Sequence, residues 1–83
     1  MTRSFARAFG PQIRVNAVCP GPVDTRWLRA VMTQEQLDKV TSRFPMQRPA
    51  TPEDIAEAVI YLAMGTALTT GQCLMVDGGR TMQ

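Results

Sequence analysis

Apolar residues along the 83-residue chain recur at helical spacing in some stretches and run together in others, with prolines and glycines between them. Residues 2–9 read as the end of a helix, with Phe5, Ala8 and Phe9 on one side and Gly10-Pro11 as the stop. Residues 13–18, Ile-Arg-Val-Asn-Ala-Val, are rich in β-branched side chains and predict a strand. Arg26 to Met32 predicts a short helix carrying Trp27, Leu28 and Val31. Thr33 then stands as an N-cap with Gln36 placed to complete a capping box, and the helix it opens repeats Leu37, Val40 and Phe44. The sharpest local signal is Thr51-Pro52-Glu53-Asp54. Thr51 caps, Pro52 takes the first helical position where its missing N–H costs nothing, and Asp54 returns the cap. Ile55, Val59 and Leu62 recur on one face of that helix, with Ala56 and Ala63 beside them, until Gly65 ends it. Residues 72–76 predict a second strand that stops at Asp77-Gly78-Gly79, and the tail from Arg80 to Gln83 is expected to be loose.

The order helix, strand, helices, strand is an α/β pattern, and strands joined through helices usually lie parallel in one sheet. Parallel sheets are normally covered on both faces and hold more than two strands. The pattern therefore reads as one end of a larger sheet, with an apolar edge on the first strand awaiting a neighbour, and the chain alone is expected to fold poorly or self-associate.

Where the first strand gives out, the stretch NAVCPGPVDT sets two prolines and a glycine against it. Pro20 and Pro22 fix their own φ angles and push the residues before them toward extended geometry, while Gly21 offers bare backbone. Such a loop suits the seat of a ligand. A strand terminator without a partner is the other reading of the same residues.

Composition narrows the function classes. Nine basic against seven acidic residues give a net charge of +2, too mild to argue for nucleic acid, and Arg3 and Arg7 read as a solvated helix face. No apolar run nears the ~18 residues that span a membrane, and the amino terminus shows no apolar secretory segment. Two cysteines and no histidine argue against an ordinary four-ligand zinc site. With Cys19 past the end of one strand and Cys73 near the start of a parallel one, the two are expected roughly 16 Å apart, beyond the ~7 Å Cα limit of a disulfide. Free thiols then point to a reducing cytoplasm.

Three segments in order, ARAFGPQIRVNAVCPGPVDT, RPATPEDIAEAVIYLA and TTGQCLMVDGG, resemble the carboxy-terminal portion of a short-chain dehydrogenase/reductase. The resemblance covers nearly the whole chain. It implies the carboxy-terminal part of a doubly wound Rossmann-type parallel sheet, the last two strands with flanking helices, as one unit over residues 1–83. Ligands of such sheets bind beyond the carboxyl ends of the strands. The resemblance thus implies a nicotinamide cofactor, NAD or NADP, with Pro20 and Gly21 shaping its pocket. It further implies that the Val23 backbone bonds the carboxamide and that the Thr25 hydroxyl contacts the carboxamide or the pyrophosphate. Residues 26–50 match the family's substrate loop, where Trp27, Leu28, Val31, Met32 and Met46 line an apolar pocket or pack on the sheet, packing being favoured for Leu28 and Val31. A small-molecule substrate and a homo-oligomer, with the last strand at a subunit interface, also follow from the family, and no nucleic acid or membrane partner does.

The family's chemistry rests on a Tyr with a Lys four residues later and a Ser upstream, the Tyr acting as general acid and base. Here the single Tyr is Tyr61, followed four residues on by Gly65, and the single Lys is Lys39. The glycine spacing of a phosphate-binding turn is also missing. No catalytic residue is assigned. The expectation is an NAD(P)-dependent oxidoreductase of which this chain is a portion, either a truncated product or one whose start is assigned at an internal Met, and inactive alone. A non-catalytic module that associates with full-length relatives is the alternative.

Overall fold

The computed structural model describes residues 1–82. Helix α1 (Thr2–Phe9) leads to strand β1 (Ala17–Pro20), followed by α2 (Arg26–Val31), α3 (Gln34–Thr41), α4 (Pro52–Ile60) and strand β2 (Cys73–Val76). A π turn, Tyr61–Gly65, completes α4, and a 3-10 turn, Arg80–Met82, follows β2. The strands pair in parallel, Ala17 with Cys73 through Pro20 with Val76. The expected α/β order and the parallel pair are both present. No helix among the described residues is long and apolar enough to cross a membrane.

Both capping boxes form. Thr33 Oγ1 accepts from Gln36 N–H at 3.1 Å and the Gln36 side chain accepts from Thr33 N–H at 2.9 Å. Thr51 Oγ1 accepts from Asp54 N–H at 3.1 Å, and Asp54 accepts from Thr51 N–H at 2.9 Å. At the far end of α4 the orphan carbonyls of Leu62 and Ala63 accept from the Arg14 guanidinium at 2.7 and 3.0 Å. This cation, from the segment before β1, closes the helix that precedes β2.

Strand β1 starts four residues later than the β-branched run predicts and runs two residues further. Residues 14–16 are drawn away by the turn into β2. Asn16 donates to Thr69 O and accepts from Gln72 N–H, and Gly71 N–H, at a backbone φ of +73°, donates to Val15 O. A ladder begins only where both strands are extended, and here that is Ala17 and Cys73. Pro20 fits inside β1 because Ala17 and Gly21 donate toward β2, so the alternate position 20 has its missing N–H on the other side.

That register overturns the expectation of free thiols. Cys19 pairs with Met75 and Ala17 with Cys73, so the cysteines lie diagonally on one face. Their Cα atoms are 6.5 Å apart and a disulfide joins them. The large predicted offset arose from ending β1 at Val18. The bond also removes the step from free thiols to a reducing compartment.

Ala6, Leu37, Phe44 and Leu62 are buried, with Thr41 beside them. Val40 and Val59, placed on apolar faces by their spacing, are about half exposed, and Val31 is exposed rather than packed. The chain exposes 6328 Å², against about 4,900 Å² for a compact monomer of 9.2 kDa. Its radius of gyration, 15.3 Å, likewise exceeds the roughly 12 Å of a compact domain this size. The elements are well formed locally but leave apolar faces uncovered. The tail is less loose than expected: Asp77 is buried and accepts from Gly79 N–H, Thr81 N–H and the Thr81 hydroxyl at 3.0, 3.2 and 2.8 Å. Gln83 lies outside the described residues.

Candidate functional site

The segment from Pro20 to Thr25 leaves the carboxyl end of β1 and is strapped to the start of α4. Val23 and Ala50 form an isolated parallel bridge: Ala50 N–H donates to Pro22 O at 2.9 Å, and Asp24 N–H donates to Ala50 O at 2.8 Å. In a parallel bridge the residues on either side of the bridged one supply both bonds, so its own N–H and C=O point the opposite way. Among the described residues neither group of Val23 has a partner. The loop therefore presents one donor and one acceptor side by side, on backbone fixed by a proline and two hydrogen bonds.

Gly21 has a different reason for being glycine than backbone access. A Cβ there would lie 2.9 Å from Asp77 Cβ and 3.1 Å from Asp77 Cα. The exit of β1 and the exit of β2 pass too closely for a side chain. Asp77, held by its three hydrogen bonds, sets that separation.

Thr25 caps α2, its Oγ1 accepting from Leu28 N–H at 3.3 Å. The hydroxyl proton remains free for a second contact. Asp24 is engaged by Arg29, whose Nε and Nη2 reach its two oxygens at 2.6 and 2.8 Å, and that hydrogen bond holds the carboxyl below its usual range. Arg29 also donates to the Gln34 side chain, linking the loop to α2 and α3. Trp27 and Met46 are largely exposed and do not close a pocket over the loop.

Of the four residues singled out from sequence, Pro20 is the last residue of β1, and Gly21, Val23 and Thr25 follow it in one continuous segment beyond the strand end. Ala50 and Asp77, which shape that segment, were not foreseen. Ala50 acts only through its backbone, and Asp77 looks in sequence like an ordinary turn residue. Tyr61 lies at the opposite end of the sheet: α4 runs back from the loop, and its last turn is held by Arg14 at the amino end of β1. The Tyr61 ring packs on Gly65, where a Cβ would come within 2.8 Å of Tyr61 Cδ1. That is a structural placement.

A family profile described as enoyl-(acyl carrier protein) reductase matches residues 1–81. The chain is 44% identical over 79 residues to a putative ketoacyl reductase 2 of the granaticin polyketide synthase from Streptomyces violaceoruber, covering 94% of this chain and 31% of that protein. The ligand-free aldohexose dehydrogenase of Thermoplasma acidophilum superposes with a TM-score of 0.91 at 33% identity, over 99% of this chain and 36% of that one. A mutant 4-hydroxyisoleucine dehydrogenase in complex with NADH and succinate superposes with a TM-score of 0.87 at 28% identity, over 99% and 35% of the respective chains. The chain thus spans about a third of the length of these relatives. The match over almost every residue makes the chain a member of the short-chain dehydrogenase/reductase family.

Proposed function

We propose that this chain supplies the wall beside the nicotinamide in an NAD(P)-dependent oxidoreductase, and that hydride transfer requires a Tyr–Lys pair it does not contain. The observation that carries the reading is the unpartnered N–H and C=O of Val23, set side by side by the bridge to Ala50. A carboxamide has one donor group and one acceptor group, and it matches such a pair. The free proton of the Thr25 hydroxyl is available to the carboxamide or to a phosphate. Pro20 and Gly21 hold the loop to the end of the sheet. Bound there, NAD(P) would supply the hydride, and the residues of this chain would orient and bind. The NADH complex of one relative supports the choice of cofactor class. The substrate is a carbonyl or alcohol compound, on the strength of ketoacyl reductase and dehydrogenase relatives.

Two experiments test the reading. The 83-residue chain alone, assayed by NAD(P)H absorbance with ketones and alcohols, shows no turnover. In protein completed by upstream coding sequence that carries Tyr-x-x-x-Lys and a glycine-rich turn, Val23→Pro weakens cofactor binding by about 0.5–1.5 kcal/mol, the net value of one hydrogen bond. The substitution spares the two hydrogen bonds of the Ala50 bridge, which use Pro22 O and Asp24 N–H rather than Val23. Equal calorimetric affinities for wild type and variant reduce the loop to a strand terminator. The uncovered apolar surface would equally serve an association module, and the absence of any upstream catalytic pair would favour that second reading.

A further inference from the structure

After β1 the chain leaves the sheet at Gly21, runs through α2 and α3, and returns through residues 45–50 to the start of α4. Both feet of this excursion stand on the turn Asp77-Gly78-Gly79 that ends β2. The outgoing foot is Gly21, which Asp77 approaches too closely for a side chain. The returning foot is Pro45 with Met46. Met46 N–H donates to Gly78 O at 3.1 Å. The Pro45 ring sits against Gly79, where a Cβ would stand 2.6 Å from Pro45 Cγ, 2.9 Å from Cδ and 3.1 Å from Cβ. These contacts join parts of this chain to one another, and none depends on which of its faces is covered.

The seat is stiff on both sides. Gly79 N–H donates to the buried Asp77 carboxylate at 3.0 Å, and Arg80 N–H donates to Asp77 O at 3.2 Å. The proline ring cannot rotate out of the way. Behind it, Gln47 N–H donates to the carbonyl of buried Phe44 at 2.9 Å. Further along the strap, Arg48 Nη1 donates to Pro49 O at 3.0 Å and to the Asp54 carboxylate at 2.8 Å, and Asp54 also accepts from Thr51 N–H. A shift at Pro45 is therefore carried along the strap to Ala50. Ala50 holds Val23 through its bonds to Pro22 O and Asp24 N–H. The turn after β2 thus reaches Val23 from two directions, through Gly21 and through the strap.

We propose that Gly79 and Pro45 are positioning residues for the free N–H and C=O of Val23: the ring seated on Gly79 sets where the strap lies, and Ala50 passes that position to Val23. The inference rests on the cofactor reading of the loop. A methyl group at position 79 must push the ring away by roughly 1 Å to restore ordinary carbon contact. The strap then moves, and the donor and acceptor of Val23 turn out of line with a carboxamide.

The test compares four forms of the completed protein used above: wild type, Gly79→Ala, Pro45→Ala and the double variant. Gly79 has a backbone φ of +89°, so alanine there is strained in either background and lowers the melting temperature in both. Only with Pro45 present is there a collision as well. Calorimetry well below the lowest melting temperature should find the cofactor Kd raised about 3- to 10-fold by Gly79→Ala, as for one hydrogen bond out of line. Exchange of the Asp24 and Ala50 amides should quicken about tenfold, while Ala17 N–H in the ladder stays near wild type. In the Pro45→Ala background the same substitution should move Kd and the two amides by less than about twofold. A lower melting temperature with Kd and both amides unchanged is what a merely structural glycine would give, and it overturns the proposal. Equal effects in the two backgrounds overturn it as well. Where Gly79→Ala does not fold, a folded double variant shows the same coupling, and failure of both to fold counts against it. Coupled amide rates without any change in Kd, or a wild type that binds no cofactor, defeat the cofactor reading of the loop and leave the seat of the strap upheld.

Discussion

Substituting Gly21→Ala adds one methyl group where the structure has no room for it. The new Cβ falls 2.9 Å from Asp77 Cβ and 3.1 Å from Asp77 Cα, whereas carbon atoms pack best at about 3.5–4.0 Å. Neither neighbour yields easily. Gly21 N–H is bonded to Val76 O at 3.2 Å, and Asp77 is held by Gly79 and Thr81. The strain must be met by parting the ends of the two strands. Overpacking of this kind costs about 1–3 kcal/mol, or roughly a 5- to 150-fold loss in the folding constant. For a domain this size that lowers the melting temperature by about 4–24 °C.

A double-mutant cycle isolates the cause. Asp77→Gly removes the Cβ that meets the new methyl, at the separate cost of three hydrogen bonds. In that background Gly21→Ala still meets the backbone Cα of position 77 at 3.1 Å but no longer the closer Cβ, so it should cost measurably less than in wild type, and the two substitutions couple. Thermal melts of the four proteins, followed by circular dichroism, give the coupling. Additive effects would refute the argument that Asp77 dictates glycine at position 21. A Gly21→Ala protein as stable as wild type would refute it more directly.

Other substitutions and conditions test the remaining contacts. Thr51→Ala removes the cap of α4 and should cost about 1 kcal/mol by thermal melt, while Thr51→Ser should stay near wild type. Arg14→Met keeps the stem but strands the carbonyls of Leu62 and Ala63; a loss of about 1 kcal/mol or more is expected, with faster amide exchange in the last turn of α4. Asp54 and Asp77 both titrate below the usual carboxylate range, Asp54 chiefly through its hydrogen bond from Arg48 and Asp77 through the Thr81 hydroxyl. A depressed carboxyl stabilises the fold above its unfolded pKa of about 4, and that contribution is lost as pH falls through the lower folded value. The melting temperature should therefore decline steadily below about pH 4, and Asp77→Asn should flatten the decline; an identical acid profile for that variant would count against Asp77 as the anchor.

What the sequence made legible was chemistry that acts over three or four residues. Thr33 with Gln36 and Thr51 with Asp54 satisfy each other within a single helical turn, so residue type and spacing suffice to find them. Apolar spacing found the helices but not which apolar residues would be covered. Leu37 and Phe44 are buried while Val40 is half exposed, because burial depends on what packs against a helix and not on its periodicity alone. The family likeness located the loop, since its prolines, glycine and threonine are contiguous.

The strand boundaries show where local reading stops. A β-branched run at 13–18 has the right composition for a strand, but residues 14–16 spend their polar groups on the Thr69–Gln72 turn. The ladder is therefore displaced along the chain, and Cys19 moves from a loop into β1. One shift of boundary turns two distant thiols into a diagonal pair on one face. The same shift sets Gly21 against Asp77 and leaves Val23 to be strapped by Ala50. The disulfide, the glycine requirement and the free Val23 amide thus share one cause: the register in which a turn distant in sequence seats β1 against β2. Composition carries no trace of register in strands of four residues, where a displacement of two changes every pairing. Perturbing that turn should accordingly disturb all three features together, a linkage that no inspection of the loop by itself would suggest.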